Sequence, residues 1–509
     1  MNEIEQWREN SSQYLAAALA WLRLRLMRLA QSAQRQVPDM VAGKDQGSCW
    51  FFGRKKSREA SAPVPDKVTN EMIAEAERAM AEAAQVEPAP PFVILSRRFG
   101  LTPFEMEILL LCAAMELDTR IPALCARAQY PGEKAYPTFA LAFTLFDDPA
   151  WDAVSAERPL RYWRLIEIHQ PATTPLTQSA LRADERIVNY LKGLNQLDDR
   201  LIPFLAPFEV YDDEEARLAS SHQNIAKAVE SSIRAMATDG RPPVIQLTGI
   251  DPVSKQHVAV EVLSRLGLQG YRMPGELLPS QPAEIENLAR LWHRESVLLP
   301  LALYIESHDS QESGQPVDHL QLSRFLARCG TLTFLDTREP RTGVGLNSPA
   351  FDIDKPLAVE QQAAWREALG PESEGAPEQL SAQFNLNLPA IRQIARIVLA
   401  ESHPDETGLP LSDRIWQACL SRTRPRLDRL AQRIEPKADW DALILPDETL
   451  NLLRAITDQV KQRSKVYDEW GFRRKMSRGF GISALFGGES GTGKTMAAEV
   501  IANDLCLDL

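Results

Sequence analysis

The feature that most constrains this chain is the run Gly-Glu-Ser-Gly-Thr-Gly-Lys-Thr at residues 488–495. An apolar stretch typical of a buried strand, residues 482–486, precedes it, and an alanine-rich stretch typical of a helix, residues 496–505, follows it. A glycine-rich loop between a strand and a helix lets successive backbone N–H groups point at a phosphate, and the helix N-terminus adds its dipole. The pattern therefore predicts a P-loop, the nucleotide-phosphate-binding loop of an ATP-dependent protein.

Individual residues of this loop have predicted roles. Lys494 supplies a charge that reaches the β- and γ-phosphates, and Thr495 offers its hydroxyl to Mg²⁺. We therefore predict Lys494 and Thr495 as catalytic residues, Thr495 as a metal ligand, and ATP with Mg²⁺ as cofactors. The predicted nucleotide-binding residues are Gly488, Glu489, Ser490, Gly491, Thr492, Gly493, Lys494, Thr495 and Met496.

A second strand, loop and helix pattern lies earlier in the chain. Residues 243–247 are typical of a short buried strand and residues 258–266 of a helix. Between them, residues 249–256 read Gly-Ile-Asp-Pro-Val-Ser-Lys-Gln, which carries only part of the P-loop signature. The order of these segments is nevertheless that of a P-loop.

The departures from the signature have physical consequences. Gly249 and Lys255 are present, but Ser254 replaces the second glycine and Gln256 replaces the hydroxyl residue. Serine resists the dihedral angles that turn the loop amides toward phosphate, and glutamine offers Mg²⁺ no hydroxyl. We predict a P-loop module that has lost catalysis; an ordinary α/β domain with a chance match is the alternative.

The region after this second loop completes the predicted module. Residues 301–305, 331–335 and 351–353 are candidate strands, and the first ends in Glu306-Ser307, where an active P-loop ATPase would carry Asp-Glu. The helical stretch 389–430 has the length of a small lid.

The N-terminal part of the chain is predicted to be mostly helical. Leucines spaced alternately four and three residues apart form one face of a helix, and they are Leu15, Leu19, Leu22, Leu26 and Leu29. This face either packs on its own domain or docks on a partner. Residues 36–66 are polar and rich in Pro and Gly, so we predict a linker, in which the basic run 54–58 is solvated. A second amphipathic helix is expected at residues 70–84.

A helix-turn-helix pattern follows at residues 92–117. Thr102 is the predicted N-cap of its second helix, Pro103 the first helical residue and Glu105 the capping-box partner. Residues 160–166 are expected to supply a wing strand. Because the second helix carries Glu105, Glu107 and Glu116 and no Arg or Lys, it would repel phosphates, so we predict a protein-docking winged helix rather than a DNA reader.

Composition excludes several classes. The 509 residues have a net charge of -12, which argues against a general nucleic-acid binder, and the six cysteines include no C-x-x-C pair, so neither a zinc framework nor a disulfide scaffold is indicated. The apolar residues 14–22 follow glutamates and run into arginines, so they are neither a signal peptide nor a membrane span. We predict a cytoplasmic protein with no nucleic-acid and no membrane partner.

The P-loop and its flanks resemble a known family. Residues 487–499 are similar to the Walker A region of AAA+ ATPases, and residues 440–446 resemble the segment that precedes it there. Residues 466–472 and 478–486, together with 99–117, are similar to bacterial ATPases that have a winged-helix-like region, a degenerate AAA+ module and an active one. Members of that group are often associated with phage-tail-like contractile injection systems.

The resemblance implies an α/β fold of P-loop AAA+ modules, one degenerate and one truncated, preceded by a mostly helical winged-helix-like region. The expected divisions are an amphipathic helix at 1–35, a linker at 36–66, a winged-helix-like domain at 67–205, a degenerate module with lid at 206–435, and the start of an active module at 436–509. It implies an ATP hydrolase in a homo-oligomeric ring that remodels or disassembles a protein complex. A non-catalytic scaffold that docks partners through its N-terminal helices is the alternative, and a different P-loop enzyme, such as a kinase, is a third.

The Walker B, sensor and arginine-finger residues of an active module are not found after Thr495. We therefore expect the sequence to be a fragment of a longer product, or else a truncated reading frame. For the full-length protein, the motifs predict that Lys494→Ala abolishes ATP turnover and that Lys255→Ala leaves it nearly unchanged.

Overall fold

The fold is that of a computed structural model. It describes residues 3–35, 68–129, 134–171, 173–208, 217–236, 242–307, 319–345, 348–370, 376–400, 410–423, 432, 434, 436–463, 465–472 and 481–509. The predicted linker 36–66, with its basic run 54–58, lies outside the described residues.

The N-terminal region is helical with one small antiparallel sheet. Its elements are α1 (Glu3–Arg35), α2 (Asn70–Ala83), α3 (Pro91–Phe99), α4 (Pro103–Leu117), α5 (Ile121–Ala128), α6 (Phe139–Leu145), α7 (Pro159–Tyr162), β1 (Ile166–His169), β2 (Ala180–Ala183) and α8 (Glu185–Leu191). One hydrophobic cluster joins α1 to the helices that follow it, so these elements share a core.

The leucine face of α1 packs within this region. Leu15, Leu22 and Leu26 are buried, while Leu19 and Leu29 are partly buried against the same cluster. The face lies against α2 and α5. Of the two uses open to this helix, the structure shows packing on its own domain, because the apolar stripe is already covered there.

The predicted boundary between α3 and α4 is confirmed. Gly100 closes α3 in the left-handed conformation (φ 64°). The Oγ1 of Thr102 accepts from the amide of Glu105 at 3.3 Å, and the Oε2 of Glu105 accepts from the amide of Thr102 at 2.9 Å, which is the capping box. Glu105 is fully buried and also receives two hydrogen bonds from Arg158, at 3.0 and 2.8 Å.

We expect Glu105→Ala to destabilise the N-terminal region by about 2–4 kcal/mol, because it removes a helix cap and leaves the half-buried Arg158 guanidinium with only the exposed Asp152, at 3.5 Å, as a partner. Hydrogen exchange of the α4 amides measures the loss. Glu116→Ala is the matched control on the same helix: its pair with Arg182 (3.2 Å) is exposed on both sides, so its loss should cost less than ~1 kcal/mol. Equal effects of the two variants would contradict this account.

The three acidic residues of α4 do not form a common repelling face. Glu105 is buried and paired, and Glu116 is paired with Arg182. Burial raises the pKa of Glu107 to about 7, with Arg25 opposing the rise and Asp147 adding to it. The prediction that Glu105 would repel the phosphates of DNA is therefore wrong, because this carboxylate is buried and paired. The absence of a nucleic-acid partner stays a prediction.

The wing strand begins later than predicted. Residues Pro159–Tyr162 form α7, and β1 begins at Ile166 and pairs antiparallel with β2. Arg164 adopts φ 52°, and the amide of Leu165 donates to the carbonyl of Leu160 at 3.0 Å, which closes the helical turn. The strand prediction missed this turn because the apolar and aromatic residues there suit either structure.

A six-stranded sheet forms the middle of the chain. Its elements are β3 (Ala206–Pro207), α9 (Ser220–Met236), β4 (Val244–Thr248), α10 (Pro252–Leu266), β5 (Gln269–Pro274), α11 (Pro282–Leu298), β6 (Leu301–Glu306), α12 (His319–Cys329), β7 (Thr333–Asp336) and β8 (Ala350–Asp352). The strand order is β3-β5-β6-β7-β4-β8, and every pairing is parallel except that of β3 with β5. The strands predicted from the sequence are thus confirmed as β4, β6, β7 and β8, shifted by no more than two residues.

The position of β4 decides where a site can form. This strand is fully buried between β7 and β8, and it leads directly into the 249–256 loop. The carboxyl ends of parallel strands meet at one edge of a sheet, so β6, β7 and β4 bring their last residues to this loop.

Helices make up the described remainder of the chain. They are α13 (Ala358–Leu369), α14 (Ala376–Gln383), α15 (Leu388–Ala400), α16 (Leu411–Thr423), α17 (Asp447–Lys461) and α18 (Lys494–Asp504). A separate hydrophobic cluster unites α13 to α16, so the described part of the predicted helical stretch 389–430 belongs to a helical unit that begins at Ala358, and its role as a lid stays a prediction. Nowhere in the described helices is there a segment long and apolar enough to cross a membrane.

The predicted strand at residues 482–486 is wrong. These residues have no strand structure, and Leu485 is 97% exposed. A strand needs a neighbour to pair its backbone groups, and no described strand lies beside this segment. The helix predicted after the loop is present as α18 and begins two residues earlier than expected.

Buried charges join the N-terminal region to the sheet. Arg294 and Glu295 on α11 are both fully buried. Arg294 pairs with Asp198 and lies 3.4 Å from Asp184, while Glu295 accepts from Arg186 at 2.9 Å. A further arginine, Arg200, donates to Asp184 and Asp198, both at 2.7 Å. Three arginines thus neutralise three carboxylates between α8 and α11, and we call these six residues the ionic junction.

Candidate nucleotide-binding loops

The 488–495 loop has an open helix N-terminus. Helix α18 begins at Lys494, and its N-cap is Gly493 (φ 82°), which has no side chain to satisfy the first amides. Gly488 and Gly491 also adopt positive φ angles, which favour glycine over residues with a Cβ. The free amides and the helix dipole make this N-terminus suited to an anion.

Lys494 folds back over the loop. Its Nζ donates to the carbonyls of Gly488 (3.0 Å) and Glu489 (2.5 Å) and lies 3.4 Å from the hydroxyl of Thr492. These contacts are exposed, so phosphate oxygens can compete for the ammonium group at little desolvation cost. Thr495 is exposed beside it, and Met496 is 42% exposed. The structure brings all nine predicted binding residues into one exposed loop and helical turn.

Helix α18 is held from its other side. Ala497 and Val500 pack against Leu453 of α17 and Leu443, which precedes α17. The Oε1 of Glu499 accepts from the amide of Lys437 at 2.8 Å. The loop therefore projects from a supported helix, with its apolar face covered and its N-terminus free.

The 249–256 loop is built differently. Asp251 is the N-cap of α10, and its Oδ2 accepts from the amide (3.1 Å) and the hydroxyl (2.6 Å) of Ser254. With Pro252 at the first helical position, α10 begins six residues before the predicted start at 258. Gly249 (φ 120°) lies so close to the carbonyl of Ile353 that a Cβ would collide with it. This glycine therefore serves close packing on the chain after β8.

The ammonium group of Lys255 lies between the start of its own loop and the end of β7. It is fully buried, pairs with Asp336 at the end of β7, and donates to the carbonyls of Gly249 (2.7 Å) and Thr337 (3.0 Å). The hydroxyl of Tyr304 donates to the other oxygen of Asp336 at 2.9 Å. Burial raises the pKa of Asp336 to about 6, and Lys255 acts against this rise. The lysine thus neutralises an internal carboxylate, and a phosphate could recruit it only by breaking this buried pair.

Two further contacts close the 249–256 loop. The side-chain Nε2 of Gln256 donates to the Oε1 of Glu306 at 3.1 Å, which joins the beginning of α10 directly to the end of β6. The Nδ2 of Asn387, just before α15, donates to both oxygens of Asp251 at 3.1 and 3.2 Å. A shallow cleft, partly open to solvent, remains beside the loop between His222, His257 and Pro389, with room for about one water molecule.

Sequence reasoning missed Asp251, Asp336 and Asn387. An N-cap signal was available, because Asp251 directly precedes Pro252. The contact of Asp336 with Lys255 and that of Asn387 with Asp251 carry no local signal, because the partners lie far apart in sequence, 136 positions in the second case.

Two segments of the chain match models of known protein families. Residues 4–205 match the family model described as "Winged helix domain, variant". Residues 357–425 match the model described as "Contractile injection system ATPase helical domain". No curated protein matches the chain.

Two solved structures are similar to parts of it. "Structure of Rhizobiales Trip13" has 13% identity and a TM-score of 0.30, over 42% of this chain and 95% of that one. "Structure of E. coli MS115-1 HORMA:CdnC:Trip13 complex" has 11% identity and a TM-score of 0.29, over 42% and 93%. TM-scores this low do not establish a shared fold.

Proposed function

We propose that this protein is an AAA+ ATPase that binds MgATP at the 488–495 loop and uses its hydrolysis to remodel or disassemble a protein complex. The observation that carries the proposal is the uncapped N-terminus of α18, with the half-buried Lys494 and the exposed Thr495 in its first turn. Lys494 and Thr495 would hold the phosphates and Mg²⁺, and the nucleotide supplies the phosphoanhydride bond that is hydrolysed.

Other observations support the finer parts of this proposal. The crossover order β5-β6-β7-β4-β8, with the 249–256 loop after its β4 strand, is that of a nucleotide-binding α/β sheet, and it suits a degenerate AAA+ module. The match of residues 357–425 to a contractile injection system ATPase helical domain supports a lid that belongs to such an ATPase. By the same match, we propose a contractile, phage-tail-like assembly as the protein complex and a homo-oligomeric ring as the working form.

The test separates metal-dependent binding from simple anion binding. We expect a fluorescent ATP analogue to bind the protein with Mg²⁺, and Thr495→Ala to lose about tenfold in affinity with Mg²⁺ but little without it, because only the metal uses the hydroxyl. Thr495→Ser, which keeps the hydroxyl, is the matched control and should bind normally. No MgATP binding at about 1 mM would reject the proposal.

A non-catalytic scaffold remains the second candidate, and the contacts that fill the 249–256 loop favour it for that module. Phosphate release by the protein distinguishes the two. A protein that binds MgATP at the 488–495 loop and releases no phosphate in its assembled form would be a scaffold.

A further inference from the structure

We propose that the carboxylate of Asp251 is a built-in anion that excludes nucleotide from the 249–256 loop and fastens the α13–α16 helices to the sheet. The proposal does not depend on hydrolysis at the 488–495 loop, because it concerns residues of the other loop alone. It assigns Asp251 as the residue that decides whether phosphate can bind at α10.

The first support is that Asp251 takes the place an anion would occupy. Its Oδ2 accepts from the amide of Ser254 at the N-terminus of α10, and the hydroxyl of Ser254 donates to the same oxygen. Asp251 is buried. A phosphate at this helix end would have to displace the carboxylate or lie against its like charge in a poorly solvated position.

The other groups that a nucleotide needs are also engaged. Lys255 pairs with the buried Asp336 and donates to the carbonyls of Gly249, at the start of the loop, and of Thr337, just after β7. Gln256 donates to Glu306. In an active P-loop ATPase, the hydroxyl residue at the position of Gln256 and the acidic residue at the end of the strand would share a metal ion. The contrast with the other loop is direct: Gly493 leaves the first amides of α18 uncapped, whereas Asp251 caps those of α10.

The second support is the link to the helical region. Asn387 donates through Nδ2 to both oxygens of Asp251, and its Oδ1 accepts from the amide of Ala390 at 3.0 Å, so it caps α15. One carboxylate is therefore shared between the starts of α10 and α15. In a nucleotide-binding module, a bound phosphate can make such a link only while nucleotide is present. Here the link is permanent, because the anion belongs to the chain.

The test combines loss of the anion with its replacement from solution. In Asp251→Ala, we expect the amides at the start of α15, including Ala390 and Ile391, to exchange about tenfold faster, although they lie 139 or more residues away in sequence. Inorganic phosphate should slow this exchange again in Asp251→Ala but not in the unsubstituted protein. Sodium chloride at equal ionic strength should not slow the exchange. Asp447→Ala, which removes an exposed carboxylate from the first turn of α17, is the control variant, and phosphate should not change the exchange at α15 in it.

A second variant distinguishes the link from an ordinary helix cap. Asp251→Ser keeps a hydroxyl that can cap α10 but has neither the charge nor the length to hold Asn387. We expect it to preserve the exchange rates of α10 and to accelerate those at the start of α15. Unchanged exchange at α15 in both variants would overturn the link. Slower exchange of the amides at the start of α10 on addition of MgATP to the unsubstituted protein would place nucleotide at the 249–256 loop and overturn its exclusion.

Discussion

Lys494→Ala is expected to lower the affinity for MgATP by at least about 100-fold, equivalent to ~2.7 kcal/mol, and to abolish phosphate release. In the proposed function the ammonium group would be the cation that holds the phosphates, and its contacts with the carbonyls of Gly488 and Glu489 are exposed and can be exchanged at little cost. Because these contacts contribute little to stability, the substitution should leave folding unchanged. Equilibrium titration with a fluorescent ATP analogue measures the change.

Lys437→Ala provides the control for general charge. Lys437 is exposed, and its backbone amide contacts α18. The substitution therefore removes the same charge as Lys494→Ala from a nearby position. We expect less than a twofold change in affinity, since exposed charges are screened at this range. Similar losses in both lysine variants would show that the loop attracts nucleotide by net charge alone, and the specific role of Lys494 would be rejected.

Lys255→Ala is expected to destabilise the sheet by about 3–5 kcal/mol, because it leaves Asp336 as a buried carboxylate without its counter-charge. The motif alone predicted only that turnover would be nearly unchanged. The buried pair adds a loss of stability that the motif could not reveal. Since a chain of this size does not unfold in one step, hydrogen exchange of the β4 and β7 amides is the suitable measurement.

The double variant Lys255→Met with Asp336→Asn tests the cause. It removes both charges, keeps an acceptor for the hydroxyl of Tyr304, and should recover most of the lost protection. Lys227→Ala, on the exposed side of α9, should have no measurable effect. If the double variant is as unstable as Lys255→Ala, the cost comes from lost packing of the lysine stem, and the ion pair is not its origin.

Local patterns predicted much of the fold. The α3–α4 boundary follows from Gly100, Thr102 and Glu105, because a capping box depends on residues three apart in sequence. The strands β4 and β6 follow from continuous apolar runs, which is how strands buried on both faces are composed. The segment at 482–486 has the same composition but no described neighbour, and composition cannot supply a pairing partner.

The candidate sites were predictable to the extent that their contacts are local. The residues of the 488–495 loop lie together as consecutive positions must, and their roles in binding stay predictions. In the 249–256 loop, the signature indicated which groups were missing, namely the second glycine and the hydroxyl. It could not indicate what replaced them, because Asp336, Glu306 and Asn387 come from β7, β6 and the start of α15.

The ionic junction has a mechanical consequence. Pulling α8 away from α11 would separate Arg186 from Glu295 and Asp184 from Arg294, at a cost of several kcal/mol until water reached these buried charges. Small loads on the N-terminal helices therefore pass into the sheet without loosening the contact between them. The two regions should therefore move together as one stiff unit.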